Sequence, residues 1–176
     1  MRAEDVLDFW FGLPRAAWFG KDPALDAEIR GRFLAAYEAA AAGPADDLQD
    51  ARGALARVVL LDQFPRNMFR ASARAFAADP LARAAARRIV DARWDRGMTA
   101  DERMFAYLPF EHSESLADQH LSCELMRPLG DEVYRYAVRH REIIERFGRF
   151  PHRNAALGRE STPEEREFLR QPGSGF

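Results

Sequence analysis

The chain has few of the residues that mark secreted or membrane proteins. Its 176 residues include one cysteine, Cys123, so no intrachain disulfide can form, and this sparing use suits the reducing cytoplasm. No apolar run approaches the roughly 20 residues that a membrane helix needs. The first residues, MRAEDVLDFWFG, carry acids and lack a long apolar core, which argues against a signal peptide. We therefore expect a cytoplasmic protein with no membrane partner.

A strong charge of either sign is also missing. The formal net charge is −2 and the isoelectric point is about 6.1, whereas a dedicated nucleic-acid binder usually carries a basic stripe, so no nucleic-acid partner is expected. Lys21 is the only lysine beside abundant arginine and alanine, so each single arginine is weaker evidence of function. With 47% apolar residues, the chain most simply forms one domain, predicted over residues 1–170 with a mobile tail at 171–176.

The period-two alternation of strands is nearly absent, while helix start and stop signals recur along the chain. Starts are predicted at Asp-Pro pairs and capping sequences, and stops at Gly148 and before Pro65 and Pro109. These signals predict an all-α fold of about seven helices in consecutive antiparallel hairpins. The predicted helices cover about residues 22–43, 52–63, 79–97, 99–108, 111–126, 131–147 and 161–170.

The first of three unusually polar segments is LDQFPRNMFR, Leu61 to Arg70. Arg66 and Arg70 are four residues apart, so on a resumed helix they share a face and need an anion or carboxylates between them. With Gln63 and Asn67 they are candidate ligand-binding residues. The alternative is a buried structural brace, because buried cations must be paired.

The second segment is FEHSESLAD, Phe110 to Asp118. On the predicted helix, Glu111, Glu114 and Asp118 share one face, which the helix macrodipole alone would favour. The alternative is that Glu111 or Glu114 pairs with arginines of the other segments. A glutamate beside an arginine stays ionised, so it is a possible general base and a poor general acid.

The third segment is FGRFPHRNAALGR, Phe147 to Arg159. Its Phe and Pro residues can hold a rigid loop that presents arginine, histidine and amide groups, the chemistry of an anion receptor. Arg149, Arg153 and Asn154 are candidate ligand-binding residues, and His152 is a candidate proton-transfer group. The alternative is that these cations cap exposed helix carbonyls.

Several classes of site have no support in the sequence. His112 and His120 are eight residues apart, roughly 12 Å along a helix, so they cannot share one metal ion. No phosphate-binding loop, dinucleotide fingerprint or serine nucleophile elbow occurs. His140 lies on an apolar helical stripe and is predicted to be a hydrogen-bonded core residue. We expect neither a metal nor a cofactor.

The same segments resemble an uncharacterised bacterial family known as domain of unknown function 924. The resemblance rests on LDQFPRNMFR, AFAADPLA, FAYLPFEHSE and RFGRFPHRNAALGRESTPEEREFL, supported by VLDFWFG and WFGKD, and it covers nearly the whole chain. It implies an all-α, tetratricopeptide-like fold of stacked helical hairpins. It implies no established reaction.

Stacked hairpins leave a concave face, on which we expect the three segments to converge. One hypothesis is a pocket that binds a small carboxylate or phosphate, with His112, Glu114 and His152 as catalytic groups if the protein is an enzyme. A second is a module that binds an acidic peptide, and a third is that the segments are structural braces only. Whether the protein is an enzyme, and its oligomeric state, stay open. The pocket hypothesis assigns ligand binding to Gln63, Arg66, Asn67, Arg70, Arg149, Arg153 and Asn154.

Overall fold

The computed structural model describes residues 1–43 and 48–175, and these contain helices and no strand. The predicted all-α class is therefore confirmed, although the helices are more numerous than the seven expected. They are α1 (Ala3–Phe11), α2 (Arg15–Trp18), α3 (Pro23–Ala42), α4 (Ala51–Val58), α5 (Phe64–Met68), α6 (Asp79–Asp91), α7 (Ala100–Glu111), α8 (Leu116–Met126), α9 (Asp131–Phe147) and α10 (Pro163–Leu169).

Helix starts and stops with strong local chemistry lie where the sequence predicts them. The Asp22 carboxylate accepts hydrogen bonds from the backbone N–H groups of Ala24 and Leu25 at the start of α3. Thr162 and Glu165 form a reciprocal capping box at the start of α10. Gly148 ends α9 in the left-handed conformation, φ 68°. The predicted stop at Gly43-Pro44 includes Pro44, which lies outside the described residues.

The predicted helix stop before Pro65 is wrong. A π-helix, Val59–Gln63, follows α4 directly, and the Phe64 N–H donates to the Val59 carbonyl five residues back. Pro65 then lies in the first turn of α5, where a missing N–H is tolerated, and the chain stays helical to Met68. The change of register allows a helical path that the proline signal alone excludes.

The predicted break at Pro109 and the helix predicted from Glu111 are also wrong. Helix α7 continues through Pro109 to Glu111, and α8 begins only at Leu116. Residues 104–110 are all buried, and their burial offsets a proline cost of about 3 kcal/mol. The connection 112–115 is held by the Gln119 amide, which donates to the carbonyls of Glu111 and Ser113. Glu111, Glu114 and Asp118 therefore do not share one helical face.

A third boundary differs near Gly97. Helix α6 ends at Asp91, and Arg93 adopts a left-handed conformation, φ 57°, before a separate 3₁₀ turn, Trp94–Gly97. The additional helices are α1, α2 and α5, of which α2 and α5 are one-turn elements that hydrophobic periodicity cannot reveal.

Backbone contacts group the described residues into two compact units. Unit 1 comprises Met1–Arg70 and Arg74–Pro109, and unit 2 comprises Ala71–Ala73 and the chain from Phe110 onward. That residues 1–170 form a single domain stays a prediction.

An aromatic cluster fills unit 1. Phe64 is fully buried, and its ring centroid lies 4.7 Å from that of Phe33 and 5.6 Å from that of Trp10. Trp10 contacts Phe105 edge-on at 5.5 Å, in the geometry that aromatic quadrupoles favour. The cluster joins α1, α3, α5 and α7.

In unit 2, α8 packs against α9, and the loop after α9 returns to their core. Ile143, Ile144 and Phe150 are buried, with Phe147 and Phe168 packed against them.

The described residues of the predicted mobile tail contact the fold. The Gly173 carbonyl accepts a hydrogen bond from Arg139, and the Ser174 hydroxyl donates to the Leu169 carbonyl. Phe176 lies outside the described residues. Within the part of the chain that the structure describes, every helix is too short or too polar to cross a bilayer.

Candidate functional site

Two of the three polar segments meet in unit 2. The connection 112–115 carries His112 and Glu114, and the loop between α9 and α10 carries the third segment. Gly148 reverses the chain at the end of α9, and Phe150 then inserts into the core with no exposed surface. The short 3₁₀ turn Pro151–Arg153 follows and carries His152 and Arg153.

Glu114 joins the connection 112–115 to the loop after α9. Its Oε1 accepts from the Phe150 N–H at 2.8 Å, and Arg159 binds both carboxylate oxygens at 2.8 and 2.9 Å. Burial alone would raise the pKa of Glu114, but the bonds from Arg159 and Phe150 outweigh it and hold the pKa below its ordinary value. Glu114 thus stays ionised, with both oxygens engaged, and acts as a clamp in the structure.

Two histidines flank the buried ring of Phe150, and a third lies beside one of them. The ring centroids of His140 and His152 each lie 5.6 Å from that of Phe150, and His112 lies 6.2 Å from His140. The Arg153 guanidinium carbon lies 4.6 Å from the Phe150 ring centroid. We call these four polar residues, His112, His140, His152 and Arg153, the histidine cluster.

His140 is the buried histidine of the histidine cluster, as predicted for a core residue. Its Nδ1 lies 2.8 Å from the Tyr136 carbonyl oxygen, which can only accept, so Nδ1 carries the proton. The same nitrogen lies 3.2 Å from Oε1 of Glu111. Burial, and then the positive charge of His112, hold the pKa of His140 well below its ordinary value, so its ring stays neutral at pH 7.

Arg153 also links the connection 112–115 to the loop after α9. It does so from the loop, whereas Glu114 does so from the connection. Arg153 is buried, with 7% of its surface exposed, and its Nη2 donates to the His112 carbonyl at 2.9 Å. Stacking of the guanidinium on Phe150 uses its face and leaves in-plane N–H groups to make hydrogen bonds. His112 and His152 are half-buried beside it.

Glu165 organises the rest of the third segment. It forms a two-bond ion pair with Arg149 at 2.7 and 2.8 Å and accepts from the Asn154 amide at 3.2 Å. Hydrogen bonds from Arg149 and then from the Thr162 backbone, against the effect of burial, lower the pKa of Glu165 to about 2. The side chains of Arg149 and Asn154, predicted as ligand-binding residues, are engaged here within the fold.

The first segment lies in unit 1, and its polar side chains have carboxylate partners there. Arg66 binds both oxygens of Asp79, at 2.9 and 3.0 Å, and Gln63 donates to Asp62. Arg70 and Asn67 both donate to Asp26. This arrangement favours the brace interpretation for all four candidates. Convergence of this segment with the other two stays a prediction.

Sequence reasoning missed two residues that organise the site. Arg159 and Glu165 are the partners of Glu114 and Arg149, yet neither was a candidate. In the sequence, Glu165 is recognisable only by its position in a capping box. That position explains one of its hydrogen bonds but gives no indication of its ion pair. Arg159 closes the third segment, and only the folded loop shows that it faces Glu114. In residues 1–43 and 48–175, no group of three or more His, Cys, Asp or Glu side chains has the arrangement of a metal site.

These observations define an all-helical protein whose unit 2 carries the histidine cluster. Two ion pairs, Glu114–Arg159 and Arg149–Glu165, hold the loop that contains His152 and Arg153. The chain belongs to the family described as "Bacterial protein of unknown function (DUF924)", whose model matches residues 6–173. It is also similar to a solved structure of the protein of unknown function ATU0120 from Agrobacterium tumefaciens. That chain is 47% identical, with a TM-score of 0.91 and coverage of 96% of both chains. No curated protein matches.

Proposed function

We propose that the protein binds a small carboxylate or phosphate ligand at the histidine cluster of unit 2. The observation that carries the proposal is that three of the four histidines in the chain lie close together, two of them against the buried ring of Phe150, beside a buried arginine. The Arg153 guanidinium lies over the Phe150 ring and donates to the His112 carbonyl, so it places a permanent positive charge beside these histidines, and such a charge favours an anion.

Within this site the candidates take different roles. His112 and His152 are half-buried, so they are the groups that meet a ligand and, if the protein is an enzyme, transfer protons. Glu114 positions the two segments, because both of its oxygens already accept hydrogen bonds. Arg153 supplies a fixed positive charge.

The chain offers a matched control for an anion titration. Isothermal calorimetry should measure binding of phosphate, succinate and sulfate to the wild type and to His112→Gln, His152→Gln and His120→Gln. His120 is exposed in the same unit and outside the cluster. We expect loss of about tenfold in affinity, or about 1.4 kcal/mol, for the two cluster variants and no change for His120→Gln.

Sulfate also tests the charge of the cluster, because its own charge is constant between pH 6 and 8. Protonated imidazole attracts an anion and neutral imidazole does not, so sulfate should bind more tightly at pH 6. The absence of any saturable binding by the wild type, or equal losses in all three variants, would defeat the proposal and favour the brace interpretation.

The finer architectural and cellular assignments are part of the same proposal. The pairing of α8 with α9 across the short connection 127–130 supports a tetratricopeptide-like hairpin in unit 2. The single, buried cysteine supports a cytoplasmic location. An acidic peptide partner has less support, because exposed arginines of α9 such as Arg139 and Arg146 are interspersed with exposed Glu142 and Glu145.

A further inference from the structure

Unit 2 contains a cavity of about 280 Å³ that none of the predicted site residues lines. It lies between the second half of α9, helix α10 and residues 171–174. Its volume is near the lower end of small-molecule sites, which run from about 300 to 1,000 Å³. A compound the size of phenylacetate, with ten non-hydrogen atoms, is small enough to fit within that volume.

The floor of this cavity is apolar and well supported. The rings of Phe147 and Phe168 are 5.1 Å apart in a tilted arrangement, and Ile143 lies beside them with 7% exposure. Both rings pack against the buried side chains of Ile144 and Phe150. A floor held in this way from behind presents a preformed surface to a ring or a branched aliphatic group.

The rim of the cavity is positively charged. Arg139 and Arg146 line it together with one acid, Glu142. The Arg146 guanidinium carbon lies 4.6 Å from the Phe147 ring centroid and 6.0 Å from that of Phe168. A guanidinium that rests its face on a ring keeps its in-plane N–H groups for a carboxylate. The apolar floor and the positively charged rim of the cavity are thus adjacent.

We propose that this cavity binds a small aromatic or branched aliphatic carboxylate. The apolar body rests on Phe147 and Phe168, and the carboxylate receives hydrogen bonds from Arg146. The proposal goes beyond the anion site at the histidine cluster, because it rests on different residues and requires an apolar group that a simple anion lacks.

Three probes test separately whether binding requires the aromatic ring and whether it requires the negative charge. Phenylacetate carries both the ring and the carboxylate, acetate lacks the ring, and phenylacetamide lacks the charge. In ¹H–¹⁵N NMR titrations of the whole chain, phenylacetate should give saturable shifts at the amides of Phe147, Phe168, Gln171, Gly173 and Ser174. Acetate and phenylacetamide should bind at least about tenfold more weakly, since each lacks one of the two contacts. Equal affinity for all three probes, or shifts confined to other regions, would overturn the proposal.

A pair of arginine variants tests the rim. Arg146→Gln should raise the dissociation constant for phenylacetate about tenfold, whereas Arg170→Gln should leave it unchanged. Arg170 is exposed on the same unit and does not line the cavity. Unchanged binding in Arg146→Gln would refute the assignment. His112→Gln should weaken sulfate binding about tenfold and leave phenylacetate binding unchanged, so failure at one site is distinguishable from failure at the other.

Discussion

At the scale of single residues, charge that looked like a ligand receptor in sequence is mostly engaged within the fold. Arg66, Arg70 and Arg149 each bind a carboxylate through two hydrogen bonds or two nitrogen atoms. This pairing is what the brace interpretation expects, because removal of one partner strands the other. In the histidine cluster, the ring of His112 lies beside that of His140, and the rings of His140 and His152 lie beside that of Phe150.

Glu165 should make the stability of the fold depend on acid pH. Its folded pKa of about 2 lies below the ordinary value of 4.5, so its contribution is complete above about pH 5. That contribution is lost as the pH falls from 4.5 through 2. Chemical denaturation at pH 7 should show Glu165→Gln to be less stable than wild type by about 2 kcal/mol, the scale of hydrogen bonds to a charged group.

The control for this prediction is Glu164→Gln, in the exposed first turn of the same helix. Its stability should follow that of the wild type at each pH. If Glu165→Gln lost stability between pH 5 and 2 as steeply as the wild type, the acid dependence would have another source.

At the scale of elements, the candidate site depends on where helices stop. The left-handed residue Gly148 ends α9 and starts the loop that carries Phe150 and Arg153. The connection 112–115 exists because Gln119 takes the carbonyls that a continuous helix would use. Both features are conformations of the backbone, and they determine where the side chains of the candidate site lie.

Gly148→Ala should destabilise the protein by about 1–2 kcal/mol. A Cβ at this position meets no atom within 4 Å, so the cost comes from the positive φ of 68° alone. Urea denaturation followed by circular dichroism measures it. Gly97→Ala is the matched control, because Gly97 is also uncrowded and has no positive φ, and it should change stability by about 0.5 kcal/mol or less. Equal effects of the two variants would contradict the role of the left-handed stop.

At the scale of the whole molecule, the chain offers spectroscopic probes that are confined to one unit. All three tryptophans, Trp10, Trp18 and Trp94, belong to unit 1, whereas circular dichroism reports on helices of both units. The prediction that residues 1–170 form a single domain requires both signals to change together on unfolding.

Phe150→Ala, in unit 2, should lower the free energy of unfolding by about 3–5 kcal/mol, because Phe150 is fully buried. If the chain is one cooperative domain, tryptophan fluorescence and circular dichroism should show the same shifted urea midpoint. A tryptophan midpoint that stays at the wild-type value would show that the units unfold separately. Leu116→Ala, an exposed apolar position in unit 2, is the control and should shift neither signal appreciably.

The helical class, the family and the helix ends that have local chemistry can all be predicted from the amino-acid sequence. Asp22, Thr99, Thr162 and Gly148 act through bonds or dihedral angles within a few residues, so the chain predicts them without knowledge of the fold. It also identified the second and third segments as a place of unusual polarity. Pro65 and Pro109 misled prediction because register change and core burial offset their local cost.

The pairing of polar groups, by contrast, depends on the folded chain. Glu114 and Arg159 are 45 residues apart, and Arg153 and the His112 carbonyl are 41 apart. Sequence cannot show such pairs, because burial and distance determine whether a charge is a brace or remains part of a site. The structure likewise placed His140 beside His112 and Phe150, where loss of solvent lowers its pKa. The electrostatics of the cluster follow from that packing.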